Sequence, residues 1–429
     1  MDPEDCEFCE SREPPAPPPQ KVRAAVFFDG TLNNRGNTRS SSPISGSDSY
    51  GASPSNVAKG EENMDPYPDV DNIGQHYYIE GIGTTTGAAD SQRGYALGTG
   101  DTGIVAKVER GLRRLIQDIS QLDRQRPIEY VHIDTFGFSR GAAAARHFVH
   151  VALNDRSQNV RKQLQDLGFT VNAVVVKFVG LYDTVASYGV RHTNDTSDLN
   201  LNAIRAAEYT YQLAAGDEHR VNFRLTDIQS AAAGKQIYLP GVHSDIGGGY
   251  NSTENETNHQ VIDFDDRGLI NRRRDLASLA RERQWLIDRG WYTDAELSQE
   301  NFFWEIHANR RGILNTYANL ALNMMADEAR GRGVPFRRSL ATRHAIPRDS
   351  NVQAVRGLID ASIAAGNVEK GSAYQDYWLQ MSSSRALNAV RHRYFHMSSR
   401  FEDSAGAHQP QYTGHPSNGG VRRRIVQRG

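Results

Sequence analysis

Gly137-Phe138-Ser139-Arg140-Gly141 is the sharpest chemical signal in the sequence. The spacing is G-x-S-x-G. It follows IEYVHIDTF, an apolar stretch that predicts a strand, and precedes GAAAARHFV, an Ala-rich stretch that predicts a helix. A serine on a tight strand-to-helix turn takes a strained backbone conformation, and its neighbours must be small enough to let strand and helix approach. Its hydroxyl then projects above the sheet as a nucleophile. The backbone N–H of Arg140, at the helix N-terminus, is placed to stabilise an oxyanion.

A serine hydroxyl needs a base, and the base needs an orienting acid. Fourteen histidines are present. In the serine hydrolases built on a parallel sheet the chain order is Ser, then Asp or Glu, then His. The apolar run VVVKFVGLYD predicts a strand with Asp183 at its C-terminal end. The run KQIYLPGV predicts another, with His243 just beyond it in HSDIGGGY. Both residues are therefore expected on the same edge as Ser139. Two alternatives stay open: Asp245, on the loop of His243, as the acid, and His396, in YFHMSSRF, as the base. His132, His147 and His150 flank the nucleophile segment and read as packing or surface residues.

The first predicted strand, VRAAVFFD, runs into Asp29-Gly30-Thr31. VFFDGT is similar to the first motif of haloacid-dehalogenase-type phosphatases, D-x-D-G-T, but Phe27 stands where the nucleophilic aspartate belongs. Without that carboxylate no phosphoryl-aspartate can form. The loop is instead a candidate source of the second oxyanion N–H, from Gly30.

These residues need a scaffold. Strands are predicted at VRAAVFFD, HYYIEGIGT, IEYVHIDTFGF, VNAVVVKFVGLYD and KQIYLPGV. Helices are predicted at VAKVERGLRRLIQDISQL, SRGAAAARHFVHVAL and LNAIRAAEYTYQLAAG. The alternation argues an α/β fold, a mostly parallel sheet with helices on both faces. Residues 33–67 read as a long polar loop, and the glycine-rich run 87–103 as a candidate lid. Residues 260–390 show helical periodicity and many arginines, a helical C-terminal insertion or cap whose core would include Met324, Met325, Trp285 and Trp378. The expected division is a disordered tail over 1–21, a catalytic core over 22–260, a helical cap over 261–400 and a disordered basic tail over 401–429.

Composition narrows the partners. Lys and Arg number 49 against 51 Asp and Glu, a formal charge of −2. This balance gives no electrostatic argument for nucleic acid. No apolar run approaches the ~18 residues of a membrane-spanning helix. The acidic, Pro-rich N-terminus lacks the basic and apolar regions of a secretory signal. Only two cysteines occur, Cys6 and Cys9, which excludes a disulfide scaffold. Two thiols do not close a tetrahedral metal site. The serine chemistry needs neither metal nor cofactor.

Four segments taken in order, VFFDGTLNN, DTFGFSRGAAAAR, FVGLYDTVASYG and YLPGVHSDIGGGY, resemble the α/β-hydrolase domain of bacterial type VI secretion lipase effectors, the first of the Tle phospholipase groups. The resemblance covers roughly residues 22–260, with a weaker echo at FHMSSRF. It implies a phospholipase, of A1 or A2 type, acting on glycerophospholipid acyl esters. It carries the serine onto Ser139, the acid onto Asp183 and the base onto His243. It implies synthesis in the cytoplasm without a signal peptide and delivery into a neighbouring bacterium's periplasm. The implied partners are a phospholipid membrane, an immunity protein and a secretion spike protein. A carboxylesterase, a peptidase, or a catalytically silent scaffold acting as an interaction protein are the competing expectations, since fold does not fix substrate.

Overall fold

A computed structural model describes residues 17–72, 75–187, 195–263, 272–299, 305–366, 370, 384–401, 408–413 and 420–429. The readings placed on Cys6, Cys9 and Trp378 lie outside them.

Six strands form the central sheet: β1 (Gln20–Phe28), β2 (His76–Ile79), β3 (Ile128–Phe138), β4 (Val171–Tyr182), β5 (Thr210–Ala215) and, after the short β6 (Leu225–Thr226), β7 (Gly234–Leu239). All pair in parallel, in the order β2-β1-β3-β4-β5-β7. Their burial follows from the pleat. On β1, Val22, Ala24, Val26 and Phe28 face one apolar cluster, with the helices Ile104–Ile119 and Arg140–Leu153. Ala25 and Phe27 face the other, with Phe136, Phe178 and the helix Ala318–Arg330. Covered on both faces, such a sheet needs near-continuous apolar strands.

The order reverses direction at β1: β2 lies on one side of it and β3 on the other. Open parallel sheets bind ligands in the crevice outside the strand C-termini at such a switch point. The register brings Phe28 beside Gly137, Phe138 beside Tyr182, Tyr182 beside Leu213 and Ala215 beside Leu239. The residues that follow β1, β3, β4 and β7 therefore leave the sheet along one edge.

Three expectations need correction. LNAIRAAEYTYQLAAG was expected to be one helix; it is a 3₁₀ turn, Leu201–Ala206, followed by β5, every residue of which is buried. Its alanines suit a helix, but YTYQL also suits a strand, and the slot between β4 and β7 decides. Residues 260–390 are not wholly helical. An antiparallel sheet crosses the expected boundary: β8 (Thr253–Asp263), β9 (Leu297–Gln299) and β10 (Glu305–Leu314), in the order β8-β10-β9. Helices Arg272–Asp288, Ser350–Ala364 and Arg385–Tyr394 accompany it. Met324 and Met325 are core residues, and Trp285 packs against the same cluster. Finally, residues 420–429 are not a disordered tail. Arg422 and Arg424 are buried, and β11 (Val426–Gln427) pairs with β6.

Candidate active site

Ser139 caps the helix Arg140–Leu153 with φ 59° and ψ −128°. A positive φ is costly for a non-glycine residue and marks stored strain. The surrounding structure holds it. Ser139 N–H donates to the Tyr182 carbonyl at 3.0 Å, and Val185 N–H donates to the Ser139 carbonyl at 3.3 Å. The two motif glycines are sterically required. A Cβ at Gly137 would lie 2.2 Å from the Gly141 carbonyl oxygen, and one at Gly141 would lie 2.2 Å from that of Asp29. Gly141→Ala is expected to lower stability by about 1–3 kcal/mol, since backbone must move to admit the methyl. A urea midpoint equal to wild type would contradict this close approach.

Asp183 follows β4 directly and also has positive φ, 48°. His243 opens the short helix His243–Gly247 after β7. Its Nδ1 lies 2.5 Å from Asp183 Oδ2. Phe138, the residue before the serine, packs on the imidazole at 4.6 Å between ring centroids, and Phe223 meets its edge at 5.0 Å. Ser139 is 5 % exposed, His243 4 % and Asp183 0 %. Among the described residues no hydrogen bond joins His243 Nε2 to Ser139 Oγ; such contacts are often long in a site without substrate.

Burial pulls the His243 imidazole below its ordinary pKa, while Asp183 opposes that pull. Burial alone would raise the Asp183 carboxyl, but Arg424 and His243 together hold it below the usual carboxylate range. Asp183 Oδ1 also accepts from Ala215 N–H at 2.7 Å. The base's own backbone is tied down by Glu218, whose Oε2 accepts from His243 N–H at 3.2 Å. Glu218 forms a fork with Arg220 and is held far below its ordinary pKa: burial opposes this, but Arg220 together with His243 and Arg424 outweighs it.

The alternative acid and base pair with each other. His396 Nδ1 lies 2.8 Å from Asp245 Oδ1, and the Tyr250 ring stacks on His396 at 3.7 Å. Asp245 Oδ2 accepts from Val242 N–H at 2.9 Å, fixing the start of the turn that carries His243. His147 is a packing residue bonded to the Leu199 carbonyl, and His132 stacks on Tyr130.

The loop after β1 abuts the serine turn, but its amides are allotted differently from expectation. Gly30 N–H donates to Asp29 Oδ1 at 2.8 Å, so it is engaged within its own loop. Leu32 N–H goes to Ile82 O and Asn33 N–H to Gly30 O. Thr31 N–H alone among these has no acceptor among the described bonds. Asp29 is buried and also accepts from Ser55 Oγ and Tyr78 OH; burial pushes its carboxyl up to about 6. The Arg140 side chain ties the loop to the glycine-rich run, donating through Nε to Thr31 Oγ1 at 2.8 Å and through Nη2 to the Tyr95 carbonyl. A cleft of about 550 Å³ opens beside Thr31 and Ser244, walled also by Asp48, Gly249, Tyr250 and Glu254.

Sequence reasoning missed Arg424, Glu218 and the Tyr250–His396 stack. The one available signal was the run Arg422, Arg423, Arg424 at the end of the chain, in which the first and third are buried. A strand period hid inside what composition called a tail.

Buried His219 bears on stability near the site. Burial lowers its pKa to about 4. An unfolded histidine protonates near ~6.5. Between those values the unfolded chain binds the extra proton, so stability is expected to fall as pH drops from ~6.5 to ~4. Thermal melts across that window check it; a flat melting temperature would contradict it.

A parallel sheet carrying a strained serine turn at its switch point, with an Asp–His pair on the same edge, defines an α/β-hydrolase-like protein. Residues 23–155 and 151–266, more than half of the chain, match the family described as T6SS, phospholipase effector Tle1-like, catalytic domain. The chain belongs to this family of type VI secretion phospholipase effectors. No curated protein matches it. Among solved structures it is similar to one reported as the Tle1 effector bound to the VgrG spike from the type 6 secretion system, at 22 % identity and TM-score 0.61. That alignment covers 100 % of this chain and 99 % of the other. It is also matched to an uncharacterised protein from Pseudomonas aeruginosa, at 17 % identity and TM-score 0.41, over 81 % of this chain and 51 % of that one. No helix among the described residues is long and apolar enough to cross a membrane.

Proposed function

We propose that this protein hydrolyses glycerophospholipid acyl esters, at the A1 or A2 position, through Ser139, His243 and Asp183. The observation that carries this reading is the strained Ser139 turn on the same sheet edge as the buried Asp183–His243 pair, with Phe138 bridging serine and imidazole.

In this mechanism Ser139 Oγ attacks the ester carbonyl carbon while His243 Nε2 takes its proton. Asp183 fixes the tautomer with the proton on Nδ1 and stabilises the imidazolium. The amides of Arg140 and Thr31 donate to the oxyanion. Collapse of the tetrahedral species expels the lysophospholipid alkoxide, which takes the proton from His243. Water, deprotonated by His243, then hydrolyses the acyl-serine to free fatty acid. The 550 Å³ cleft beside Thr31 and Ser244 supports entry of the lipid from that side.

Family membership supports export by a type VI system, and the likeness to the spike-bound effector supports loading on a secretion spike. The proposed destination is the periplasm of a neighbouring cell, with a cognate immunity protein protecting the producer.

The test combines labelling with a serine-directed fluorophosphonate and product analysis on vesicles of phosphatidylethanolamine and phosphatidylglycerol with different acyl chains at the two positions. Labelling lost in Ser139→Ala together with release of one chain supports the proposal. Labelling with no action on vesicles but hydrolysis of soluble esters would make it a carboxylesterase. No labelling and no hydrolysis would leave a silent scaffold.

A further inference from the structure

We infer that Arg424, carried by the C-terminal strap of residues 420–429, is a positioning residue for Asp183, so that the hydrolytic edge is complete only with the strap seated. This rests on the triad reading above.

The geometry is a fork. Arg424 Nη1 donates to Asp183 Oδ1 at 2.6 Å and Nη2 to Oδ2 at 2.9 Å. The same guanidinium also donates to the carbonyls of Ala215, at the end of β5, and Phe223. A carboxylate offers about four lone-pair sites. At Asp183 they are taken by Ala215 N–H and Arg424 Nη1 on Oδ1, and by His243 and Arg424 Nη2 on Oδ2. The carboxylate therefore has no rotational freedom. Orienting an imidazole requires only one of its oxygens; the fork engages both.

The strap is anchored independently of Asp183. Arg422 pairs with Glu282 and donates to Ser399 Oγ at 2.9 Å. Leu225 N–H donates to the Ile425 carbonyl at 2.9 Å, and β11 continues beside β6. Gly429 N–H donates to Asp227 Oδ1 at 2.9 Å. Arg424 is thus delivered to the acid by a segment fixed on both sides of it.

The fork has a chemical consequence. Asp183 stabilises the imidazolium of His243, and the Arg424 charge behind it offsets part of that attraction. The other charged groups near His243 are Glu218 and Arg220, which are paired with each other. Asp245 on its own turn is paired with His396, and Asp217, which accepts from Gly241 N–H, is paired with Arg391. Removing Arg424 strengthens the Asp183–imidazolium attraction against the burial and the Arg220 charge that oppose it, so the proton is held more tightly on His243.

The experiment uses the full chain and vesicles of phosphatidylethanolamine and phosphatidylglycerol. Arg424→Gln is expected to displace the acidic limb of the kcat/KM pH profile upward by about one unit, the low end of the shifts that a neighbouring charge produces. kcat falls and KM is unchanged. Arg424→Lys, which keeps the charge without the fork, is expected to hold the limb at the wild-type position. Arg423→Gln, at an exposed site, is expected to leave the profile unmoved. A lowered melting temperature in Arg424→Gln with an unshifted limb would make Arg424 structural and overturn the inference, as would failure of both Arg424 variants to fold. Full hydrolysis by Ser139→Ala would instead overturn the triad reading itself.

Discussion

Ser139→Ala is expected to fold as the wild type does and to release fatty acid from phospholipid vesicles on the order of 10⁴–10⁶ times more slowly, as loss of the nucleophile does in serine hydrolases. The fold should survive because the turn is held by backbone. The bonds from Ser139 N–H to Tyr182 and from Val185 N–H to the Ser139 carbonyl need no hydroxyl. Alanine carries the same Cβ as serine, so the strain at φ 59° is unchanged. Circular dichroism and a urea titration should therefore overlay on wild type while turnover disappears. Retention of more than a few per cent of the rate would remove this serine from the mechanism.

The second large effect is expected from Asp183→Asn, which should act on both rate and stability. The amide offers the imidazole either a donor, which imposes the wrong tautomer, or a neutral oxygen, which does not stabilise the imidazolium. Comparable changes lower kcat about 10⁴-fold. Here the carboxylate is also the counter-charge of a buried arginine, Arg424, with a side chain 1 % exposed. Leaving one partner of a buried ion pair is destabilising by about 3–5 kcal/mol. The expected result is an enzyme that is both inactive and displaced to a markedly lower urea midpoint, unlike Ser139→Ala. An Asp183→Asn variant as stable as wild type would show that Arg424 finds another partner, against the fork described here.

The parts of the fold that were legible in the sequence were those with one dominant local signal. β1, β3 and β4 are runs of β-branched and aromatic residues whose two faces are both buried, and the Ser139 turn follows from two glycines that no other residue can replace without a backbone clash. Chain order and strand ends were enough to put Asp183 and His243 on one edge. What could not be read was anything decided by distant partners. β5 is a strand because a slot between β4 and β7 is open to it. β10 mixes arginines with apolar residues because one of them, Arg310, is buried against Glu256. The terminal arginines looked like a solvated tail because their counter-charges, Glu282 and Asp183, lie 140 and 241 positions away. The two His–Asp pairs show the same limit. Chain order and the family resemblance point to Asp183 and His243 but leave Asp245 and His396 open as alternatives, and the distances pair His243 with Asp183 and His396 with Asp245.

The fork between positions 183 and 424 also sets a schedule. Contacts that close long stretches of chain form slowly, after local helices and neighbouring strands. A growing polypeptide can already fold its sheet and serine turn while residue 424 is still unmade, and during that interval the acid lacks its clamp. On the mechanism proposed above, the clamp on the acid thus forms after the contacts among residues 139, 183 and 243, which lie closer together along the chain.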